Sequence, residues 1–436
     1  MFTDTLSART ALRRLLAGAA LVTVAAIAGQ GATLIANVAL ANVLGSTQFG
    51  AYSFLQSSLN NLSLIAQLSF GLLATKYLSE YSHRDPDRAG RMLGFGTVVT
   101  LLSGAAVAVV FSLVTSGLQD IEGLSGRDRL VGVGAICVAI PLAALSYFQV
   151  GVLQGLGQFR MQAVLSLWQA ALAVALPVAG GLLAGVAGSA VGVLLFVVSR
   201  SAGNAAAIHR VSKGARLDVR PVAPPELPRL LWDFALPASL TGLTTAGSQW
   251  LAGLVLLAQP GGSHEFGLYA VGMLFRTVVV LVPAQIGTVA LAHMTRHLAD
   301  KDVRRYRQVS SMNVIVTSGI ALTIGVVLAL LVPWLLPVFG KSFVEAASLV
   351  YVILVGAALE AIGVAIYPRL PSQSRMWTSF LSVALPRDAC FLIGFLLLVA
   401  GYLGTGLAIA YVISQFAGLV GVILATRGMG GHSNET

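Results

Sequence analysis

Long apolar runs recur from one end of this chain to the other, and they limit what it can become. Each is about 20 residues or longer, enough for a helix to cross about 30 Å of hydrocarbon. Cutting at charged or Gly/Pro-rich breaks gives twelve, at residues 15–42, 50–75, 92–116, 130–153, 162–183, 186–208, 231–257, 266–293, 309–332, 344–367, 376–399 and 404–426. Barrel strands need only about 9 to 11 residues, whereas a helix satisfies its own backbone groups in lipid. The expected fold is an all-α membrane protein of about 12 transmembrane helices. A soluble chain carries about 25% charged residues; this one carries 10%, so no sizeable soluble domain fits between the spans.

The net charge of +10 would suggest nucleic acid in a soluble protein, but here it sits in loops and reads as orientation. Arg9, Arg13 and Arg14, Lys76 to Arg91, Arg160, Arg200 to Arg229, Arg296 to Arg307, Arg369, Arg375 and Arg427 place 22 cations on one side. Arg127, Arg129 and Lys341 place 3 on the other. By the positive-inside rule both termini are cytoplasmic, which only an even span count permits. The amino end has the charge asymmetry of a signal peptide, and Ala39–Leu40–Ala41 mimics a cleavage site. The apolar run is far longer than a signal's core of about 7 to 15 residues, so a retained first span is expected. Cys137 and Cys390 stand apart in apolar stretches and read as free thiols.

The polar, proline-rich stretch 210–230 nearly bisects the chain and reads as a cytoplasmic linker between a six-helix bundle at 1–209 and another at 231–436. An internal duplication agrees with this. Gly45-Ser-Thr-Gln-Phe-Gly-Ala-Tyr52 aligns with Gly262-Ser-His-Glu-Phe-Gly-Leu-Tyr269, with five identities in eight. Ala184–Ser189 meets Ala400–Thr405, and Gly71–Arg88 meets Gly287–Arg304, at nearly the same offset. Six spans per half make the repeats parallel about a central cavity, related by a pseudo-twofold along the membrane normal. That is an architecture suited to alternating access, so a transporter is expected.

Few residues offer chemistry. The six histidines form no nucleophile or metal pattern; His293 and His297 share a helix face but read as interfacial. No catalytic constellation appears, so no enzymatic activity is expected, and without a phosphate-binding loop no nucleotide or other cofactor is expected. The informative residues are charges at membrane depth, where each costs about 2.5 to 3.5 kcal/mol on insertion scales. These are Arg276 in span eight, Glu360 in span ten, and Arg387 with Asp388 in span eleven. One reading is an internal ion pair, such as Glu360 with Arg387, that only fixes packing. The other has Arg276 and Arg387 bind an anionic ligand in the cavity through their forked donors, with Glu360 and Asp388 available for ion coupling. Arg387 and Asp388 point about 100° apart on a helix and are not expected to neutralise each other fully. Gln56 and Asn60 share a face of span two and offer amides to sugar hydroxyls or to neighbouring helices.

The run Leu44-Gly45-Ser-Thr-Gln-Phe-Gly-Ala-Tyr52 resembles the signature of polysaccharide-transport flippases in the multidrug/oligosaccharidyl-lipid/polysaccharide exporter superfamily. Lys76–Glu80, Gly151–Arg160 and Gly401–Ala410 are similar to that family's second-span exit, fourth-to-fifth connection and last-span entrance. The resemblance implies a bacterial inner-membrane protein that flips undecaprenyl-diphosphate-linked oligosaccharide for O-antigen, capsule or exopolysaccharide assembly. Its implied partners are the lipid-linked substrate, membrane lipids and polysaccharide polymerase machinery, with no nucleic acid. The chain departs from the pattern at Gln249-Trp250-Leu251-Ala252, where many relatives carry an acid late in span seven. The alternative is a cation-coupled multidrug exporter of the same superfamily, whose cavity should be acidic.

Overall fold

The computed structural model describes residues 2–82, 84–117, 122–124, 126–214, 217–223, 232, 235–299, 302–373 and 375–427, with only the backbone of 2–26, 292 and 299. The side chains of Arg9, Arg13 and Arg14 lie outside this set. So do His83, Arg216, Arg229, Lys301 and His432, and Pro224, Pro225 and Pro228 of the linker.

Among the described residues the chain is helical, with no strand. The long helices are α1 (Phe2–Ala66), α2 (Phe70–Tyr81), α3 (Pro86–Ser116), α4 (Gly126–Gly155) and α5 (Phe159–Gly214). They continue as α6 (Leu236–Leu257), α7 (Gly262–Ala299), α8 (Val303–Leu335), α9 (Ala347–Ile366) and α10 (Leu385–Arg427). Among the described residues, nine apolar helical stretches are long enough to cross a membrane. Three contain an internal break: α1 at Gly45, α5 at Ala184 and Gly185, and α10 at Leu403. Each break turns one continuous helix into two spans, which brings nine to the expected twelve. Two breaks fall on glycines whose positive φ costs a residue without Cβ little, but Leu403 adopts φ 42° with a full side chain.

Span two departs from the uninterrupted run expected. The chain turns at Gln67–Ser69, where Leu68 and Ser69 have φ of 48° and 57°, before α2 resumes. The Ser103 hydroxyl donates to the Ala66 carbonyl at 2.5 Å, satisfying an acceptor that the break releases. The duplication puts Pro283 of α7 opposite Gln67, but there the helix continues through the proline, so the second repeat does not share this break.

The chain divides into two compact units. The first comprises 1–40, 62–117 and 130–235; the second comprises 41–61, 118–129 and 236–436. In the first unit, Phe70, Leu73, Tyr77, Met92, Phe148 and Leu153 form a core with Leu217. Gly90 and Gly94 of α3 lie against the backbone of Asp218 and Arg220, so the start of the proline-rich stretch packs onto this unit.

In the second unit the two copies of the duplicated motif meet. A Cβ on Gly50 would collide with the Ser263 carbonyl, and one on Gly267 with the Ser46 carbonyl. Ser46 and Ser263 are repeat equivalents, as are Gly50 and Gly267, so the crossing has the reciprocal form of a twofold contact. Edge-on ring pairs flank it, Phe54 with Phe266 at 5.9 Å and Phe49 with Phe343 at 5.7 Å. The Trp250 indole donates to Ser58 at 3.1 Å nearby.

Candidate functional site

All four charges expected at membrane depth converge in the second unit. Arg276 on α7 donates from Nε to Glu360 Oε2 at 2.8 Å and from Nη2 to Oε1, a forked contact that uses both carboxylate oxygens. The Tyr411 hydroxyl of α10 also donates to Glu360 Oε2. The carboxylate on α9 is thus held from two other helices. Arg387 donates from Nε to Asp388 Oδ1 at 2.8 Å and from Nη2 to the Thr245 hydroxyl at 2.6 Å. That hydroxyl in turn donates to Asp388 Oδ2 at 2.7 Å, closing a three-membered ring with α6.

Two expectations change. The first open pairing, Glu360 with Arg387, is replaced by Glu360 with Arg276. The adjacent residues Arg387 and Asp388, not expected to neutralise each other fully, pair directly, and both also bond to Thr245. The 100° between neighbours limits short side chains, but the arginine arm is long enough to curl back around the helix. The cluster's four formal charges therefore cancel, and the expected cation excess is offset by acids. Each pair is largely withdrawn from solvent, with Glu360 14% and Asp388 7% exposed at the side chain. Removing one partner of such a pair costs about 3–5 kcal/mol, because the other charge is left buried alone.

The cluster forms the wall between two cavities. A larger one of about 240 Å³ is lined by Thr241, Glu360, Tyr367, Ser379, Arg387 and Gln415 with aliphatic neighbours. A smaller one of about 60 Å³ lies among Thr245, Gln249, Tyr269, Arg276, Asp388 and Tyr411, and shares Glu360, Arg387 and Gln415 with the first. Arg387 thus faces both spaces, while Arg276 lines only the smaller one. The Ser379 hydroxyl donates to Tyr367 at 2.9 Å on the larger cavity's wall. Small residues open this space: Gly363 lines it, and Gly418 lies against the methylenes of Arg387. A single wide π-turn at Phe380–Ala384 precedes Arg387 and rotates it relative to the helix before it; such turns are frequent at functional sites.

Gln56 and Asn60 lie on α1 and line neither of these two cavities. Gln56 has a buried amide oxygen with no partner, and Asn60 is exposed. Gln249, noted in the sequence only as a departure from the family pattern, lines the smaller cavity, and Tyr411, Thr245 and Gln415, not singled out by sequence, complete the site. Isolated hydroxyls and amides in apolar helices carry no spacing signal.

Comparison with known proteins agrees with the fold and the family resemblance. Residues 15–222 match the polysaccharide biosynthesis protein family. The EPS I polysaccharide export inner membrane protein EpsE of Ralstonia nicotianae is 26% identical over 89% of this chain and 88% of its own. Its counterpart in Ralstonia solanacearum is 25% identical over 88% and 87%. Among solved structures, an inward-facing multidrug resistance transporter of the MATE family and MOP superfamily superposes with a TM-score of 0.74 at 15% identity, covering 92% of this chain and 94% of that one. A MOP superfamily transporter from Pyrococcus furiosus, described as having a binding pocket of reverse polarity, gives 0.68 at 15% identity over 94% and 93%. These likenesses bear out the all-α multi-pass membrane fold and the sequence's resemblance to polysaccharide transporters.

Proposed function

Taking the chain as a member of the polysaccharide-transport family, we propose that it flips undecaprenyl-diphosphate-linked oligosaccharide across the bacterial inner membrane, both termini cytoplasmic. The observation that carries the reading is the pair of arginines at membrane depth on the wall of a polar cavity, each balanced by a carboxylate that another anion can replace. A diphosphate cannot cross hydrocarbon unaided, because its charge and hydrogen bonds need partners at every depth. A guanidinium offers those partners in a forked geometry suited to phosphate oxygens.

Arg387 is the better placed of the two. It faces both cavities, whereas the forked contact with Glu360 occupies Arg276 on two nitrogens. A phosphate oxygen arriving at Arg387 competes with Asp388 for the guanidinium, and re-forming the ion pair releases the anion. Glu360 and Asp388 are the acids available for ion coupling in this scheme. Gln249 and Gln415 supply amides for the sugar next to the diphosphate. The polyprenyl tail stays in lipid, so only the head group needs the cavity. Outward movement of the anion is also favoured by an inside-negative potential, by about 2.3 kcal/mol per charge per 100 mV.

The test is surface polysaccharide in a strain lacking the gene, complemented with Arg387→Gln and Arg276→Gln and normalised to protein in the membrane. At least a tenfold loss is expected from Arg387→Gln. Normal polymer from both variants overturns the mechanism. Export of organic cations is the second reading, favoured by the MATE-type fold and by two acids at the cavity. It predicts drug hypersensitivity in Glu360→Gln with unchanged polymer.

A further inference from the structure

The first unit contains a guanidinium of a different kind. Arg200 was expected among the loop cations, but it lies inside α5, nine residues before His209 and about 13 Å from it along the axis. Its guanidinium carbon sits 5.3 Å from the centre of the Tyr147 ring on α4. Its Nε is buried with no hydrogen-bond partner, and among the described residues no carboxylate pairs with it. One turn later on the same face, Asn204 is 2% exposed, and its Nδ2 is likewise unpartnered while its Oδ1 accepts from Gln169 at 3.0 Å. Two buried donors therefore lie one helical turn apart, one of them cationic, and neither has an acceptor.

At the repeat offset of 216, Tyr147 corresponds to Gly363, which lines the larger cavity of the second unit, and Arg200 to Phe416, which does not line it and is 58% exposed. The arginine lying on a tyrosine therefore has no counterpart in the second repeat.

We infer that Arg200 and Asn204 form a second oxyanion-binding site, in the first unit, that takes a phosphate or diphosphate group. The Tyr147 ring holds the empty guanidinium in reserve. A ring face is a weaker counter-charge than a phosphate oxygen, which accepts charge-assisted hydrogen bonds from the unpartnered Nε–H and from the Asn204 amide. Anion binding therefore lifts Arg200 from the ring. The site shares no residue with the Arg387 cluster and does not depend on which polymer the protein serves.

The test is ligand-induced thermal stabilisation and equilibrium binding with the full-length Arg387→Gln protein, in which the second-unit arginine no longer contributes, in nanodiscs of neutral lipid; the variants are made in that background. Inorganic diphosphate and a short-chain polyprenyl diphosphate are the probes, separating a soluble source from a lipid head group. The expected result is saturable binding that Arg200→Gln weakens at least tenfold and Asn204→Leu several-fold. Arg200→Lys should retain part of the affinity, and Tyr147→Leu, which removes the holding ring, should leave it equal or tighter. Binding of both probes unchanged in a correctly folded Arg200→Gln protein overturns the inference. Should Arg200→Gln fail to fold, unchanged binding in Asn204→Leu together with loss in Tyr147→Leu overturns it. Loss of binding in Arg200→Gln with unaltered polymer from Arg387→Gln would retain this site while removing the function proposed above.

Discussion

The two repeats descend from one pattern, yet they manage buried charge in opposite ways. The second unit carries four formal charges at membrane depth and cancels them locally, through a three-helix contact around Glu360 and a two-helix contact around Asp388. The first unit has Arg200, which rests on an aromatic ring rather than on an acid. At the repeat offset Glu360 corresponds to Ala144, and Arg276 to Asn60 or its neighbour, so the ion pair belongs to one copy only. Cancelled charge adds rigidity and can be exchanged, whereas a lone cation over a ring is a vacancy for an anion. Duplication supplied the scaffold twice, and divergence at a few interior positions made the lobes electrostatically unlike.

The largest effect expected from breaking this contrast is at Glu360. Glu360→Ala leaves Arg276 buried without its acid and should cost about 3–5 kcal/mol of stability. The measure is thermal unfolding in detergent and the amount of protein in the membrane. The double variant Arg276→Met with Glu360→Met should recover most of that stability while abolishing transport, which separates packing from function. Next comes the crossing of the duplicated motifs. Gly50→Val or Gly267→Val forces a side chain into backbone and should cost about 1–3 kcal/mol, read by the same melts. Thr245→Val removes the hydroxyl that joins Arg387 to Asp388 and should cost about 1 kcal/mol, with a larger proportional loss of polymer than of protein. The smallest change runs the other way. Leu403→Gly relieves a non-glycine residue at φ 42° and should stabilise the protein by about 1 kcal/mol.

Much of this was legible in the chain. Twelve runs gave twelve spans because hydrocarbon thickness fixes helix length, whatever the packing. Continuity was harder to read: helical backbone runs through Gly45, Gly185 and Leu403 with a break of one or two residues, too short to interrupt an apolar run. The positions of Arg276, Glu360, Arg387 and Asp388 stood out because charge in lipid is costly. Their pairing did not, since it depends on which helices face one another and on how far an arginine can curl. Arg200 was hidden by its neighbours: it falls inside the run 186–208 but reads with Arg210 and Lys213 as a loop cation, and the helix that follows the break at Ala184 and Gly185 carries it without interruption to Gly214. Tyr147 and Tyr411 were silent for a related reason, because aromatic residues in apolar helices are ordinary.

The second unit also shows that the seam in the gene is not the seam in the molecule. Residues 41–61 and 118–129 are encoded before the proline-rich stretch but are built into the body that begins at 236. Severing the chain near residue 220 therefore gives no self-sufficient carboxyl fragment. Expressed alone, that piece would lack the Phe49, Phe54 and Gly50 surface against which Phe343, Phe266 and Ser263 pack, and its apolar scar would need the missing peptide supplied in trans.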